Sequence, residues 1–402
     1  MSGLLVKSTA FMKDNLKAFN DAGIDVPVIL GGAALTPRFV QKDCREVYNG
    51  KVIYGRDAFA DLRFMDALMD AKGNDNWNNL EGFITDVPSG VGLDEETESS
   101  TVERSTAEEK SQQDAPSPQL PVTTDRSEAV PAEPTPTAPF LGSVVITEAD
   151  VDIEEVFGFL DRNALFAGQW QLRKTQQQSR DEYDAMLKEK AEPVLQQWMD
   201  RCLQESLLTP RAAYGYFPVG RDGNALRVFD ASGETELGRF DLPRQRSGNR
   251  YCIADFFQDM TADGRPGDVL PMQAVTMGDK ASEVAQELFK GDQYSDYLYF
   301  HGLAVQMAEA MAEWVHARIR RELGFADPDG MPLRDVLAQR YRGSRYSFGY
   351  PACPNVADSR QQLSWLGADR IGLSMDASDQ LSPEQSTTAL VALHSKARYF
   401  SA

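Results

Sequence analysis

Between Asp94 and Pro139 the chain runs DEETESSTVERSTAEEKSQQDAPSPQLPVTTDRSEAVPAEPTPTAP, with 11 acidic residues against 3 basic ones and no aromatic ring. Such a stretch has too little apolar surface to offset the entropy of ordering it, and its like charges repel. A disordered acidic tether is therefore expected over residues 92–140. It constrains everything else, because the remaining chain must fold as two separate parts, 1–91 and 141–402.

The 402 residues, 42% of them hydrophobic, suffice to fill two or three ordinary cores. A net charge of −20 argues against nucleic acid, which asks for a basic patch to displace counterions. Cys44, Cys202, Cys252 and Cys353 are far apart and form no CxxC pair, as expected of a reducing, cytoplasmic compartment. No apolar run reaches the roughly 18 to 20 residues of a membrane helix, and the first residues lack the marks of a signal peptide. A membrane partner is not expected.

In the first part, Asp25–Leu30 reads as a buried strand, Gly31–Thr36 as a strand-to-helix turn, and Pro37–Tyr48 as a helix that Pro37 opens after the Thr36 cap. A strand at Lys51–Tyr54 and a helix at Asp57–Met69 follow. Leu4–Val6 reads as a strand end before a helix near Thr9–Ala22. This order is that of the second half of a doubly wound parallel sheet, a partial α/β, Rossmann-like domain whose other strands would lie upstream of Met1.

In the second part, Val151–Leu172 and Glu182–Ser206 show helical spacing. Strand-like runs occupy Ala212–Phe217, Ala225–Phe229 and Val269–Met277. Helix returns at Lys280–Phe289 and at Tyr294–Leu323, whose apolar face is interleaved with Glu309, Glu313, Arg318 and Arg320. An α+β domain with a mixed or antiparallel sheet and flanking helices is expected.

Two segments carry chemistry. The Gly31-Gly32 pair serves either close packing or positive φ, or else the close approach of a ligand. Tyr341–Pro354 (YRGSRYSFGYPACP) is too rich in Pro and Gly for a helix or a central strand. It is either a rigid surface loop or a binding loop, in which Arg345 offers a fork for a carboxylate and Tyr350 a ring face for a base or a sulfonium. His301, His316 and His394 all lie in the second part, where a helix-face or capping role is the commoner one. Cys353, between Ala and Pro, reads as structural.

The segment RGSRYSFGYPACP resembles the signature of the S-adenosylmethionine-binding activation domain of cobalamin-dependent methionine synthases. YGYFP from Tyr214, YCIADF from Tyr251, HGLAVQMAEAMAEWVHARIRRELGF from His301 and LHSKARYF ending at Phe400 agree in order, so the resemblance spans roughly Ile146 to the end. SGLLVKST from Ser2 and GGAALT from Gly31 are similar to two elements of cobalamin-binding domains. The chain is thus expected to be the C-terminal portion of such an enzyme.

The resemblance implies that Asp161, Glu309, Arg345, Tyr350, Ala352, Tyr399 and Phe400 hold S-adenosylmethionine. Glu309 reads equally well as a solvated helix residue. Ser2, Leu4, Val6, Gly31, Gly32 and Ala58 would contact the nucleotide tail of cobalamin in an incomplete site, because the family's Asp-x-His-x-x-Gly loop is absent. It further implies methyl transfer from S-adenosylmethionine to cob(I)alamin, a flavodoxin-type reductant, and the remaining methionine synthase modules as partners. Zinc would belong only to the homocysteine module, which this chain lacks along with the folate module. No catalytic or metal-ligating residue is expected in the chain itself. A binding module that senses S-adenosylmethionine or docks flavodoxin without methyl transfer is the alternative. A stand-alone methyltransferase is disfavoured, since no Gly-rich nucleotide loop occurs in the second part.

Overall fold

A computed structural model describes residues 6–31, 39–55, 68–69, 123–174, 178–291 and 293–401. The chain divides into two compact units, Met1–Ser99 with Gly349–Asn355, and Ser100–Phe348 with Val356–Ala402.

In the first unit, helix α1 (Val6–Asp21) is followed by strands β1 (Val28–Gly31) and β2 (Val52–Gly55), which pair in parallel with Val28 opposite Val52 and Gly31 opposite Gly55. A π-turn at Phe39–Cys44 and a 3-10 turn at Arg45–Val47 occupy most of the expected Pro37–Tyr48 helix. Met12 and Leu16, one turn apart on α1, pack with Leu30, Val40, Cys44, Tyr48 and Val52. Val6, the last residue of the expected strand end, lies on α1, whose spacing of Met12, Leu16 and Phe19 is helical, while Leu4 and Leu5 lie outside the described residues. The parallel pair with its helix is what the described residues contain of the expected doubly wound sheet. The expected Asp57–Met69 helix lies outside the described residues, save Leu68 and Met69.

The second unit is built on an antiparallel sheet of seven strands: β3 (Gly142–Ile146), β4 (Arg211–Asp222), β5 (Ala225–Phe229), β6 (Glu236–Asp241), β7 (Asp268–Thr276), β8 (Ser344–Tyr346) and β11 (Ser386–Ala392). Their order is β6-β5-β4-β7-β11-β8, with β3 also on β4. Two-residue strands β9 (Ser374–Met375) and β10 (Leu381–Ser382) form a separate ribbon. The twelve-residue β4 pairs with β3 through its first half, β5 through its end and β7 along most of its length, which makes it the spine.

Among the described residues this unit also holds helices α2 (Ile153–Phe157), α3 (Arg180–Met186), α4 (Glu192–Glu205), α5 (Asp279–Lys290), α6 (Tyr294–Glu322), α7 (Leu333–Leu337) and α8 (Asp358–Leu366). The 29-residue α6 buries Phe300, Leu303, Met307, Met311, Val315 and Ile319 in one core with Trp198, Tyr214, Tyr216, Val275 and Val391. Two polar ties set its height on the sheet: Gln273 Nε2 donates to Ala312 O at 3.0 Å, and Glu322 accepts from the Tyr214 and Tyr216 hydroxyls at 2.9 and 2.8 Å. Gly302 lets the turn Ala164–Gln169 approach closely, since a Cβ there would lie 2.8 Å from Gln169 Cβ. The expected Glu182–Ser206 helix is three pieces, with a π-turn at Leu187–Ala191, because Pro193 cannot donate to the preceding turn and starts α4 instead.

The sequence reading takes the tether as far as residue 140, but residues 123–140 lie on the second unit. Val130 is 1% exposed, Ser127 N donates to Asp255 Oδ2 at 3.2 Å, and Thr135 Oγ1 donates to Gly267 O at 2.9 Å. Composition misleads here because this strap is held by polar groups fitted to buried polar partners rather than by apolar area. The earlier part of the expected tether, 92–122, lies outside the described residues.

Candidate functional site

Arg345 sits on β8, an edge strand, opposite Val391 of β11. Ser344 and Tyr346 on either side are buried, so the pleat turns Arg345 to the other face. On α6, Glu309, Glu313, His316 and Arg320 recur at spacings of four, three and four, which places them on one stripe.

Arg345 Nη1 donates to Glu313 Oε2 at 2.6 Å, and the Tyr341 hydroxyl donates to the same oxygen at 3.0 Å. Arg320 Nη1 donates to Glu313 Oε1 at 3.3 Å, and its Nε and Nη2 grip Asp327 at 2.9 and 2.5 Å. The Arg320 guanidinium also lies 3.7 Å from the centre of the Tyr341 ring. Glu313 is 5% exposed and Arg320 fully buried, so Glu313 is a desolvated carboxylate held by two guanidinium groups and a phenol.

Burial opposes the Arg345 charge, yet Glu313, with Tyr341 and Glu309, keeps the guanidinium protonated well above the ordinary arginine range. Burial first, and Glu313 next, raise the Tyr341 phenol above its usual value. His316 lies with Nδ1 3.5 Å from Arg345 Nη1. Burial, then Arg320 and Arg345, push its pKa well below 6.5, so it is neutral.

The other expected site residues fall as follows. Glu309 is exposed on α6, within electrostatic reach of Arg345. Phe400 is buried, with ring centroids 6.0 Å from Tyr346 and 5.7 Å from Tyr251, while Tyr399 is 43% exposed. Tyr346 OH donates to Arg398 O at 2.7 Å, so the residue after Arg345 anchors the chain end. Asp161 is half-buried and caps the Ala164–Gln169 turn, accepting from Ala164 N at 3.0 Å. Its side-chain hydrogen bond stays beside that turn. Tyr350 and Ala352 belong to a tight turn closed by Gly349 N to Cys353 O and Cys353 N to Tyr350 O, each 2.9 Å, with Tyr350 38% exposed and Ala352 and Cys353 buried. Gly31 lies against Gly55, whose carbonyl oxygen would be 3.3 Å from a Cβ at Gly31. Val6 is on α1, and Ser2, Leu4, Gly32 and Ala58 lie outside the described residues.

The residues that sequence reading missed are those that hold Arg345: Glu313, Tyr341 and His316. The signal was present, since acids and a histidine on the apolar stripe of a buried helix must find buried partners. Among the described residues no group of three or more His, Cys, Asp or Glu could hold a metal ion. His301 instead stacks on Tyr297, and His394 lies 2.7 Å from Pro131 O.

An antiparallel sheet backed by one long helix, with a charge-paired arginine on an edge strand, places the larger unit in the α+β class. Residues 152–402 match the family model of the vitamin B12 dependent methionine synthase activation domain, and the chain belongs to that family. It is 38% identical over 414 residues to the methionine synthase of Mycobacterium tuberculosis and 39% identical over 419 to that of Mycobacterium leprae. Both alignments take in the whole of this chain but only 34% of each relative, so the chain spans about a third of their length. Among solved structures, the crystal structure of the MetH reactivation domain bound to AdoHcy is similar with a TM-score of 0.59 and 22% identity, covering 67% of this chain and 83% of that one. That likeness concerns the fold.

Proposed function

We propose that residues 141–402 bind S-adenosylmethionine and present its methyl group to cobalamin during reactivation of a methionine synthase. The observation that carries this reading is the Arg345–Glu313 pair. Glu313 takes Arg345 Nη1, which leaves the Nε–Nη2 edge of an oriented guanidinium as a fork for the ligand carboxylate. Exposed Glu309 offers a counter-charge for the ligand ammonium, and Tyr399 an exposed ring beside buried Phe400. The solved relative, bound to AdoHcy, supports a ligand of this class. Asp161, Tyr350 and Ala352 join the proposal on the sequence resemblance alone.

The sulfonium of bound S-adenosylmethionine supplies an electrophilic methyl group, so these residues need only bind and orient it. Glu313, shared by Arg320, Tyr341 and Arg345, fixes the arginine before the ligand arrives, which lowers the cost of ordering it. Val6, Gly31 and the undescribed Ser2, Leu4, Gly32 and Ala58 are proposed as tail contacts for cobalamin, with 1–91 as part of its domain. The tight Gly31–Gly55 approach serves packing between β1 and β2 equally well. A flavodoxin-type reductant and the other enzyme modules are proposed partners, and the cytoplasm the proposed compartment. Among the described residues no helix is long and apolar enough to cross a membrane.

Methyl-labelled S-adenosylmethionine added with chemically reduced cobalamin tests the reading. Label on cobalamin, dependent on this chain, is expected; saturable binding with no transfer would favour a sensing or docking module.

A further inference from the structure

We propose that the strap Thr123–Pro136 is a working part of this site, and that Glu133 is the residue through which it acts. Glu133 would position both the stem of the arginine strand and the chain end bearing Tyr399 and Phe400. The inference rests on the S-adenosylmethionine reading and extends it to residues upstream of the family match, which begins at 152.

Glu133 gathers groups from three distant stretches. Its carboxylate accepts from the Arg342 guanidinium, from the Ser395 hydroxyl, and from Ser395 N at 3.1 Å, and His394 Nε2 lies 3.8 Å away. Its carbonyl accepts from Gln258 Nε2. Burial alone would raise its pKa, but the Ser395 hydrogen bonds, then His394 and Arg342, hold it below the usual glutamate value.

From Glu133 two short paths lead to the site. Arg342 precedes Arg345 by three residues, and its Nε donates to Leu393 O at 2.8 Å. Between them Gly343 has φ +90°, and a Cβ there would lie 2.6 Å from Ala392 O, so the chain from Arg342 into β8 has one course against β11. On the other path, His394 Nδ1 accepts from Lys396 N at 3.0 Å and His394 O from Ala397 N at 2.9 Å. That turn delivers Arg398 O to the Tyr346 hydroxyl, and Tyr399 and Phe400 follow.

The strap has its own anchors away from these paths. Arg126 donates to Asp255 O and to Phe257 O, the latter at 2.7 Å, and Ser127 Oγ donates to Asn249 O at 2.6 Å. The cavity beside Glu133, lined by Arg126, Asp268, Arg342 and His394 among others, holds only about 30 Å³. That is room for about one or two waters and not for a nucleoside, so the cluster serves as a fastening rather than a second pocket. Tension or release in the strap, which leads out of the acidic run, would thus reach Arg345 and Tyr399 together.

The test uses the full chain as wild type, Glu133→Ala, Glu133→Gln and the control Thr135→Ala, which removes a strap anchor that touches neither path. S-adenosylhomocysteine is titrated calorimetrically, and amide exchange over 394–400 is followed without ligand. Glu133→Ala is expected to weaken binding at least fivefold and to speed exchange over 394–400, with Glu133→Gln intermediate because it keeps an acceptor for Ser395. Thr135→Ala should leave both within twofold even if its melting temperature falls as far. Unchanged affinity and exchange in Glu133→Ala, or equal effects in Thr135→Ala, would overturn the proposal. If wild type binds nothing, the S-adenosylmethionine reading falls, and the exchange data still decide whether Glu133 positions the chain end.

Discussion

Arg345 on an edge strand and Glu313 on the long helix, 32 residues apart in sequence, meet at 2.6 Å with little solvent between them. A buried pair of this kind contributes little beyond what a well-packed apolar pair would, but breaking one half is costly. Glu313→Ala would leave Arg345 and Arg320 facing each other without their shared carboxylate. It should lower stability by about 3–5 kcal/mol. Glu313→Gln, which keeps an acceptor, should lose less. Urea unfolding curves decide this, and equal midpoints for wild type and Glu313→Ala would refute it.

Neutral His316 makes stability depend on pH in a definite direction. Its native pKa lies well below 6.5, so between that lower value and about 6.5 the unfolded chain binds the extra proton. Stability is therefore complete above about pH 6.5 and falls as the pH drops below it, at a slope approaching about 1.4 kcal/mol per pH unit. His316→Gln should flatten the unfolding free energy between pH 5 and 7 relative to wild type. An unchanged slope would show that His316 does not titrate as the geometry requires.

Tyr214 and Tyr216 share Glu322 as acceptor, and burial followed by that hydrogen bond raises both phenols, Tyr214 to about 12 and Tyr216 further. A phenol whose native pKa is raised above the unfolded value stabilises fully below about pH 10 and loses that contribution as the pH rises toward the native value. Absorbance titration near 295 nm should show at least these two tyrosines still protonated at pH 11 in the folded chain. Glu322→Gln should bring part of that absorbance change to lower pH.

All four cysteines are buried, and burial pushes the Cys202 thiol up to about 12 and those of Cys44 and Cys252 to about 11. The thiolate is the form that attacks a disulfide reagent and displaces its leaving thiolate, so at pH 8 the folded chain should react slowly at these three, and four thiols should appear on unfolding. Fast labelling of the native chain would contradict the packing.

Much of the larger unit is legible from residue spacing. The runs at Ala212–Phe217, Ala225–Phe229 and Val269–Met277 are strands, and the periodicity from Tyr294 gives α6 to within a residue. The short edge strand at Ser344–Tyr346 was not legible, because three residues among Gly and Pro carry no pattern and owe their conformation to β11. Arg345 stood out by chemistry, whereas Glu313 looked like any interleaved helix charge until the fold brought Tyr341 and Arg345 to it. The strap reads as part of the disordered tether for a related reason: Glu133 and Arg126 are ordinary in a polar run, and only tertiary structure supplies Arg342, Ser395 and Asp255 as partners.

The central claim is tested most directly by calorimetric titration of S-adenosylmethionine into the wild-type chain and into Arg345→Lys, which keeps a charge for Glu313 but loses the planar fork. Saturable heat in wild type is expected, with binding weakened roughly tenfold or more, about 1.5 kcal/mol, in a variant whose circular dichroism is unchanged. Absence of saturable heat in wild type, or equal affinity in the two chains, would contradict it.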